Sequence, residues 1–316
     1  MFNTQNKNQI KQLNNTNKYK IIINKNQKKI NKNQKLKFFK KQNQELNKRT
    51  FSDSNIIINQ KVSNNYSHLF IHLLYSPLYR LNESIYIYLF TLCIYKKELL
   101  KKYLLLTFRG LQYSIKCLRS PSEQYILQKQ VVLKTPKNPK GNILYLDLDE
   151  TLIHVCQIWD NPDFIIYEKY IIPIKIRPFC KEFLQKIAQY WDIYIFTASQ
   201  KKYANAVCDF LDPQREYIID ILTRENCMET KNGLFIKDLR IIKDKDIKKM
   251  AIVDNLSHSY GFQIENGIPI LEWKGDQKDE ELKYLINYLI NLSRQDDVRI
   301  YNQKKLKLKE LLNYTF

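Results

Sequence analysis

Asp147 and Asp149 stand one residue apart just after an apolar run, Ile143 to Leu146, within the stretch ILYLDLDETLIH at 143–154. Such a continuous run reads as a strand buried on both faces. Two carboxylates at its end are costly to place there unless they bind a cation or do chemistry. A carboxylate can attack phosphorus in line and become an aspartyl-phosphate, while a neighbouring carboxyl serves first as acid and then as base. Asp147, at the strand end, suits the first role and Asp149 the second. Two close carboxylates raise each other's proton affinity, which helps one of them keep a proton. A divalent cation would offset the repulsion between carboxylate and phosphate. Mg²⁺ takes a few oxygen ligands and keeps several waters, and Asp147 with Asp254 or Asn255 would supply the oxygens. Thr197 can hydrogen-bond a phosphoryl oxygen, and Lys237 can offset its charge.

The elements that must position these residues follow from the same apolar patterning. Trp191 to Phe196 (WDIYIF) is a second buried strand ending at Thr197, and Met250 to Val253 a third ending at Asp254-Asn255. Ile268 to Leu271 is a candidate fourth. Helices or crossovers lie between them, as a parallel sheet requires. In open α/β sheets, ligands bind just beyond the carboxyl ends of the strands, so the three strand ends predict one shared site. Residues 164–176 (FIIYEKYIIPIKI) read as a β-hairpin or flap, and 214–240 as a small strand-rich insertion with a turn at Gly233. Arg177-Pro178 opens a helix through Ala188, 200–210 is another, and Asp279 to Leu292 is an amphipathic helix with acids in its first turn. Tyr125 to Leu133 is a candidate edge strand.

Charge divides the chain. Residues 1–140 carry 27 Lys and Arg against 5 Asp and Glu, and residues 141–316 carry 25 against 27. Nucleic-acid contact is therefore an expectation for the leader alone, and no direct nucleic-acid binding is expected of the domain from 141 onward. Residues 1–60, dominated by Asn, Lys, Gln and Ile, bury too little apolar surface to offset their ordering entropy and read as a disordered leader. Residues 61–119 form an apolar segment of uncertain status. Its runs at 69–79 and 85–95 are shorter than the roughly 20 residues a membrane-spanning helix needs. They fit membrane-surface contact, packing on the core, or a translated AT-rich intron. TPKNPKG at 135–141 places a linker over 120–140, and 301–316 is a C-terminal tail. The six cysteines include no CxxC pair, which excludes the common zinc and thioredoxin-like patterns and fits a reducing compartment. His154 suits packing or a supporting hydrogen bond.

The motifs carry a family resemblance. DLDETLIH is similar to the first motif of the haloacid-dehalogenase (HAD) superfamily in its small CTD phosphatase form, the NLI-interacting-factor-like family. Arg177-Pro178 with Glu182-Phe183-Leu184, WDIYIFTAS at 191–199, Tyr203-Ala204, Arg224-Glu225, Lys237-Asp238-Leu239 and Asp254-Asn255 resemble its later motifs in order. The resemblance spans about 141–300. It implies a HAD-like Rossmannoid parallel sheet with a small strand-rich insertion, and a Mg²⁺-dependent protein serine/threonine phosphatase. By position it implies Asp147 as nucleophile, Asp149 as acid/base, Thr197 and Lys237 on the phosphate. It implies metal held by Asp147, the backbone carbonyl of Asp149, and Asn255, with Asp254 close by. The implied partner is a phosphorylated protein, with an RNA polymerase C-terminal-domain phosphoserine as the family-level example. A nuclear or cytoplasmic place is expected, with membrane association through 69–95 as the alternative. The competing expectation is a binding or scaffold protein on the same fold, like the family's mitochondrial import receptor. The sequence departs from the family pattern at Leu256-Ser257, where Ser-Pro is usual, and at Ile242-Lys243-Asp244, where Gly-Arg-Asp is usual.

Overall fold

A computed structural model describes residues 102–313, apart from 135, 136, 139, 140, 168 and 169. The basic leader and the apolar runs at 69–79 and 85–95 lie outside the described residues. Among the described residues no helix is long and apolar enough to cross a membrane.

The described part of the segment before 120 is a helix, α1, over 102–117. Tyr103, Leu104, Phe108 and Leu111 recur at helical spacing and are buried in the main core. Burying one such side chain fully contributes about 1.5–3 kcal/mol. Two glycines permit the close approach. A Cβ at Gly110 would stand 2.8 Å from the backbone nitrogen of His258, and one at Gly261 would collide with Ser114 of the helix. The stretch expected to be a linker holds a short helix, α2 (Glu123–Gln128), whose N-cap Ser122 accepts from the Tyr125 amide. That cap overrides the edge strand expected over 125–133. Only Val131 pairs, in a single parallel bridge to Ile242.

The central sheet has five strands in the order β10-β9-β1-β5-β6. They are β1 (Ile143–Leu146), β5 (Asp192–Phe196), β6 (Ile218–Leu222), β9 (Met250–Asp254) and β10 (Gly267–Pro269). All four pairings are parallel. Strands β1, β5 and β9 are buried at every position, as their apolar runs at 143–146, 193–196 and 250–253 require. The expectation that 214–240 is wholly an insertion is corrected at β6, which joins the main sheet at its edge. Its half-buried middle, with Asp220, breaks the apolar run that marks the inner strands. What remains of the insertion is a two-stranded hairpin, β7 (Met228–Glu229) and β8 (Phe235–Ile236), turning at Gly233.

The flap expected at 164–176 is an antiparallel sheet of β2 (Ile153–Val155), β4 (Ile171–Ile176) and β3 (Phe164–Tyr167), in that order. It docks through Phe164, stacked 4.0 Å from Phe210 of helix α4 (Lys201–Leu211). Helices α3 (Cys180–Ile187) and α5 (Glu281–Leu292) pack together, and the Trp191 indole N–H donates to the Leu289 carbonyl at 3.0 Å. Helices α6 (Val298–Leu306) and α7 (Leu308–Leu311) complete the C-terminal part and bury Val298, Leu306, Leu308 and Leu311.

Candidate active site

Strand register sets the site. β1 lies between β9 and β5, with Leu146 level with Val253 on one side and Ile195 on the other. Asp147 therefore emerges level with Asp254, and Thr197 follows directly after the neighbouring strand β5. Beyond β1 the chain makes a tight turn. The Thr151 and Ile153 amides donate to the Leu148 carbonyl, and the Glu150 amide donates to the Ile153 carbonyl. Glu150 takes a left-handed conformation, φ 60°, which lets the chain reverse immediately after Asp149. Its side chain reaches His154 Nδ1 at 3.3 Å, the supporting contact expected of that histidine, whose ring also meets Trp273 edge-on.

Lys237 joins two strand ends. Its ammonium donates to Asp147 Oδ1 at 2.6 Å and to Asp254 Oδ2 at 2.5 Å, with all three side chains buried. Burial works against the ammonium, but the two carboxylates outweigh it and hold the Lys237 pKa above the usual lysine range. Burial also pushes the Asp147 carboxyl up to about 8, opposed by Lys237 and reinforced by the charges of Asp254 and Asp149. The lysine is bonded to two carboxylates at once and stays charged. The other Asp254 oxygen, Oδ1, accepts the Leu256 amide at 2.7 Å.

Asp149 faces two hydroxyls. Ser199 Oγ donates to its Oδ2 at 2.6 Å and Tyr203 OH to its Oδ1 at 2.7 Å. Burial, followed by the Asp149 charge, holds the Tyr203 phenol well above its usual range, so it stays a donor. Thr197 Oγ1 accepts the Ser199 amide at 3.1 Å, which leaves its own proton free to donate toward a ligand.

Residues 142–299 match the sequence model of the NLI interacting factor-like phosphatases. The chain belongs to that family. The CTD small phosphatase-like protein 2 of Dictyostelium discoideum is 38% identical over 187 residues, which cover 57% of this chain and 32% of the relative. The CTD small phosphatase-like protein 3 of Caenorhabditis elegans is 37% identical over 186 residues, covering 56% and 63%. The CTD small phosphatase-like protein of Homo sapiens is 36% identical over 199 residues, covering 60% and 68%. The chain thus spans less than two thirds of the length of the first two relatives. The solved structure titled "The Structure of Fcp1, an essential RNA polymerase II CTD phosphatase" matches 59% of this chain and 67% of its own, at 18% identity and a TM-score of 0.41.

Whether this member of the phosphatase family can take a divalent cation is a question about donors. Among the described residues no three His, Cys, Asp or Glu side chains gather into a metal cluster. Oxygens of another kind do converge. Thr151 Oγ1 lies 3.3 Å from Asp147 Oδ2 and 3.4 Å from Asn255 Oδ1. One hydroxyl proton serves both acceptors at long range, so neither oxygen has a strong donor. A buried carboxylate oxygen without a strong donor, beside an amide oxygen, fits a hard cation. Both Asp254 oxygens are engaged, one by Lys237 and one by a backbone amide, so Asp254 anchors the lysine. Both Asp149 side-chain oxygens face hydroxyls.

The site is held from behind by residues the spacing alone does not single out. Arg177 Nε and Nη2 donate to Asp279 Oδ1 and Oδ2 at 2.7 and 2.9 Å, and Nη1 donates to the Thr151 carbonyl at 3.1 Å. The Arg177 amide donates to the Leu152 carbonyl. One buried guanidinium thus fastens the turn after Asp149 to the start of α5. Lys237 is held from the main chain, its amide donating to the Ser259 carbonyl at 2.6 Å. That carbonyl belongs to the loop on which α1 packs.

Proposed function

We propose that this chain is a Mg²⁺-dependent protein serine/threonine phosphatase working through a phosphoryl-Asp147 intermediate. The observation that carries the reading is the buried Asp147 carboxylate, bonded to a lysine that Asp254 anchors and set beside a second carboxyl held separately by hydroxyls. In the first half-reaction an Asp147 oxygen attacks phosphorus and the phosphorus–oxygen bond to the seryl side chain breaks. Asp149 gives its proton to the leaving seryl oxygen. In the second, Asp149 takes a proton from water as the water oxygen attacks phosphorus, and the bond to Asp147 breaks to release phosphate. Lys237 and the Thr197 hydroxyl bind phosphoryl oxygens in both steps. Because Asp254 retains the ammonium, Lys237 can turn from Asp147 to the phosphate without being left alone. Asp147 Oδ2, Asn255 Oδ1 and the Asp149 carbonyl would hold the Mg²⁺, which supplies charge neutralisation between carboxylate and phosphate.

The relatives' names speak of CTD small phosphatases, which supports a phosphoserine of that tail type as the substrate class. Such substrates would place the protein in the nucleus or cytoplasm. The test is hydrolysis of a phosphoserine peptide by the full chain, with magnesium or chelator, beside Asp147→Asn. Turnover that needs both magnesium and Asp147 is expected. A folded wild type that binds phosphopeptide without hydrolysing it would instead favour the binding-protein alternative.

A further inference from the structure

The partners of Asp149 have a chemical property that other side chains would lack. A carboxyl that gives a proton in one half-reaction and takes one in the next must be held both as carboxylic acid and as carboxylate. A lysine, an arginine or a backbone amide only donates, so it favours the carboxylate and resists protonation. A hydroxyl donates to a carboxylate and, by rotating its proton, accepts from a carboxylic acid. Asp149 has two hydroxyl partners, one on each oxygen: Ser199 at 2.6 Å and Tyr203 at 2.7 Å. They come from different elements. Ser199 follows the end of β5, and its backbone is fixed by its amide N–H donating to Thr197 Oγ1 and by the Arg224 amide donating to its carbonyl at 3.0 Å. Tyr203 lies in the first turn of α4. The carboxyl is thereby oriented from two sides, while the positive charge of the site is kept on Asp147 and Asp254 by Lys237.

We propose that Ser199 and Tyr203 are positioning residues that aim Asp149 for proton transfer to the leaving oxygen and from the attacking water. The proposal rests on the reading of Asp149 as the acid/base above. It makes these hydroxyls matter in proportion to how badly the leaving group needs a proton. A phenolate with electron-withdrawing substituents leaves unaided, whereas a seryl alkoxide does not.

The experiment is first-turnover release of the leaving group by the full chain in magnesium, using a series of aryl phosphates of rising phenol pKa and a phosphoserine peptide. Wild type, Tyr203→Phe, Ser199→Ala, the double variant and Asp149→Ala are compared. Thermal melting of each variant accompanies the rates. A hydrogen bond to a charged group corresponds to about a tenfold effect or more. Each single variant is expected to lose about tenfold more on the peptide than on the best leaving group. The double is expected to lose about a hundredfold more, and Ser199→Thr to recover the single loss. Equal loss across the whole series, or none anywhere, in variants of unchanged melting temperature would overturn the proposal while Asp149→Ala still shows steep leaving-group dependence. If Asp149→Ala itself shows no such dependence, the acid/base reading fails and the proposal with it.

Discussion

Replacing Asp279 tests how the catalytic turn is held. The Arg177 side chain is 0% exposed and that of Asp279 7%, and the pair is bidentate at 2.7 and 2.9 Å. A guanidinium cannot shed its proton to escape burial. Asp279→Leu therefore strands a full positive charge, at a cost of about 3–5 kcal/mol. For a domain of this size each kcal/mol moves the midpoint by about 2–4 °C, so melting should fall by about 6–20 °C. Adding Arg177→Met to Asp279→Leu removes the stranded charge. The double variant should be more stable than Asp279→Leu alone, with a coupling of about 2 kcal/mol or more. Urea unfolding of the full chain followed by tryptophan fluorescence reads this out, since Trp191 and Trp273 are buried. A single variant that costs under about 1 kcal/mol, or a double as unstable as the two singles summed, would refute the reasoning.

Further outcomes follow from the same geometry. Lys237→Met should lower the phosphatase rate by about 10²–10³-fold with phosphopeptide as substrate, the scale for losing one preorganised charge on the reacting group; a loss under tenfold would remove Lys237 from that role. Because the Asp147 pKa is raised in the fold, the folded state holds the proton more tightly than the unfolded state, and ionised Asp147 costs stability as pH rises through the range up to about 8. Asp147→Asn should therefore melt at or above the wild type in chelator at neutral pH, and magnesium should raise the wild type far more than the variant. Gly110→Val, which drives a Cβ into the backbone at His258, should cost about 1–3 kcal/mol in urea unfolding, whereas a helix treated as a dispensable leader would tolerate it. Asp297 accepts the Arg299 amide at the start of α6, and Arg299 holds its carboxyl below the usual range. Its contribution is present above the ordinary carboxylate pKa and is lost as pH falls through the lowered value; Asp297→Ala should cost about 1 kcal/mol at pH 7 and less in acid.

The inner strands were legible because burial on both faces writes an unbroken apolar run, as at Ile143–Leu146 and through residues 250–253. Strand ends were legible for the same reason, and with them the convergence of Asp147, Thr197 and Asp254. Edge strand β6 was not, since Asp220 and a half-buried middle interrupt such a run. The helix over 102–117 was hidden among apolar residues whose setting composition could not decide. Side-chain tasks were the least legible. Asp254 is spaced as a metal ligand, and spacing gave no sign that Lys237 and one backbone amide would also donate to its two oxygens. Arg177 and Asp279 lie 102 residues apart, and no local pattern links them. Ser199 and Tyr203 had a faint signal: two hydroxyls four residues apart, just past the strand end that faces Asp149.

The most direct test of the central claim is to trap the intermediate. The full chain is mixed with phosphoserine peptide and magnesium, quenched with borohydride, digested and read by mass spectrometry at residue 147. Reduction of an acyl phosphate should convert Asp147, and no other aspartate, to homoserine, only when substrate is present. Sustained turnover with Asp147 unmodified, or with Asp147→Asn matching the wild-type rate, would contradict the account.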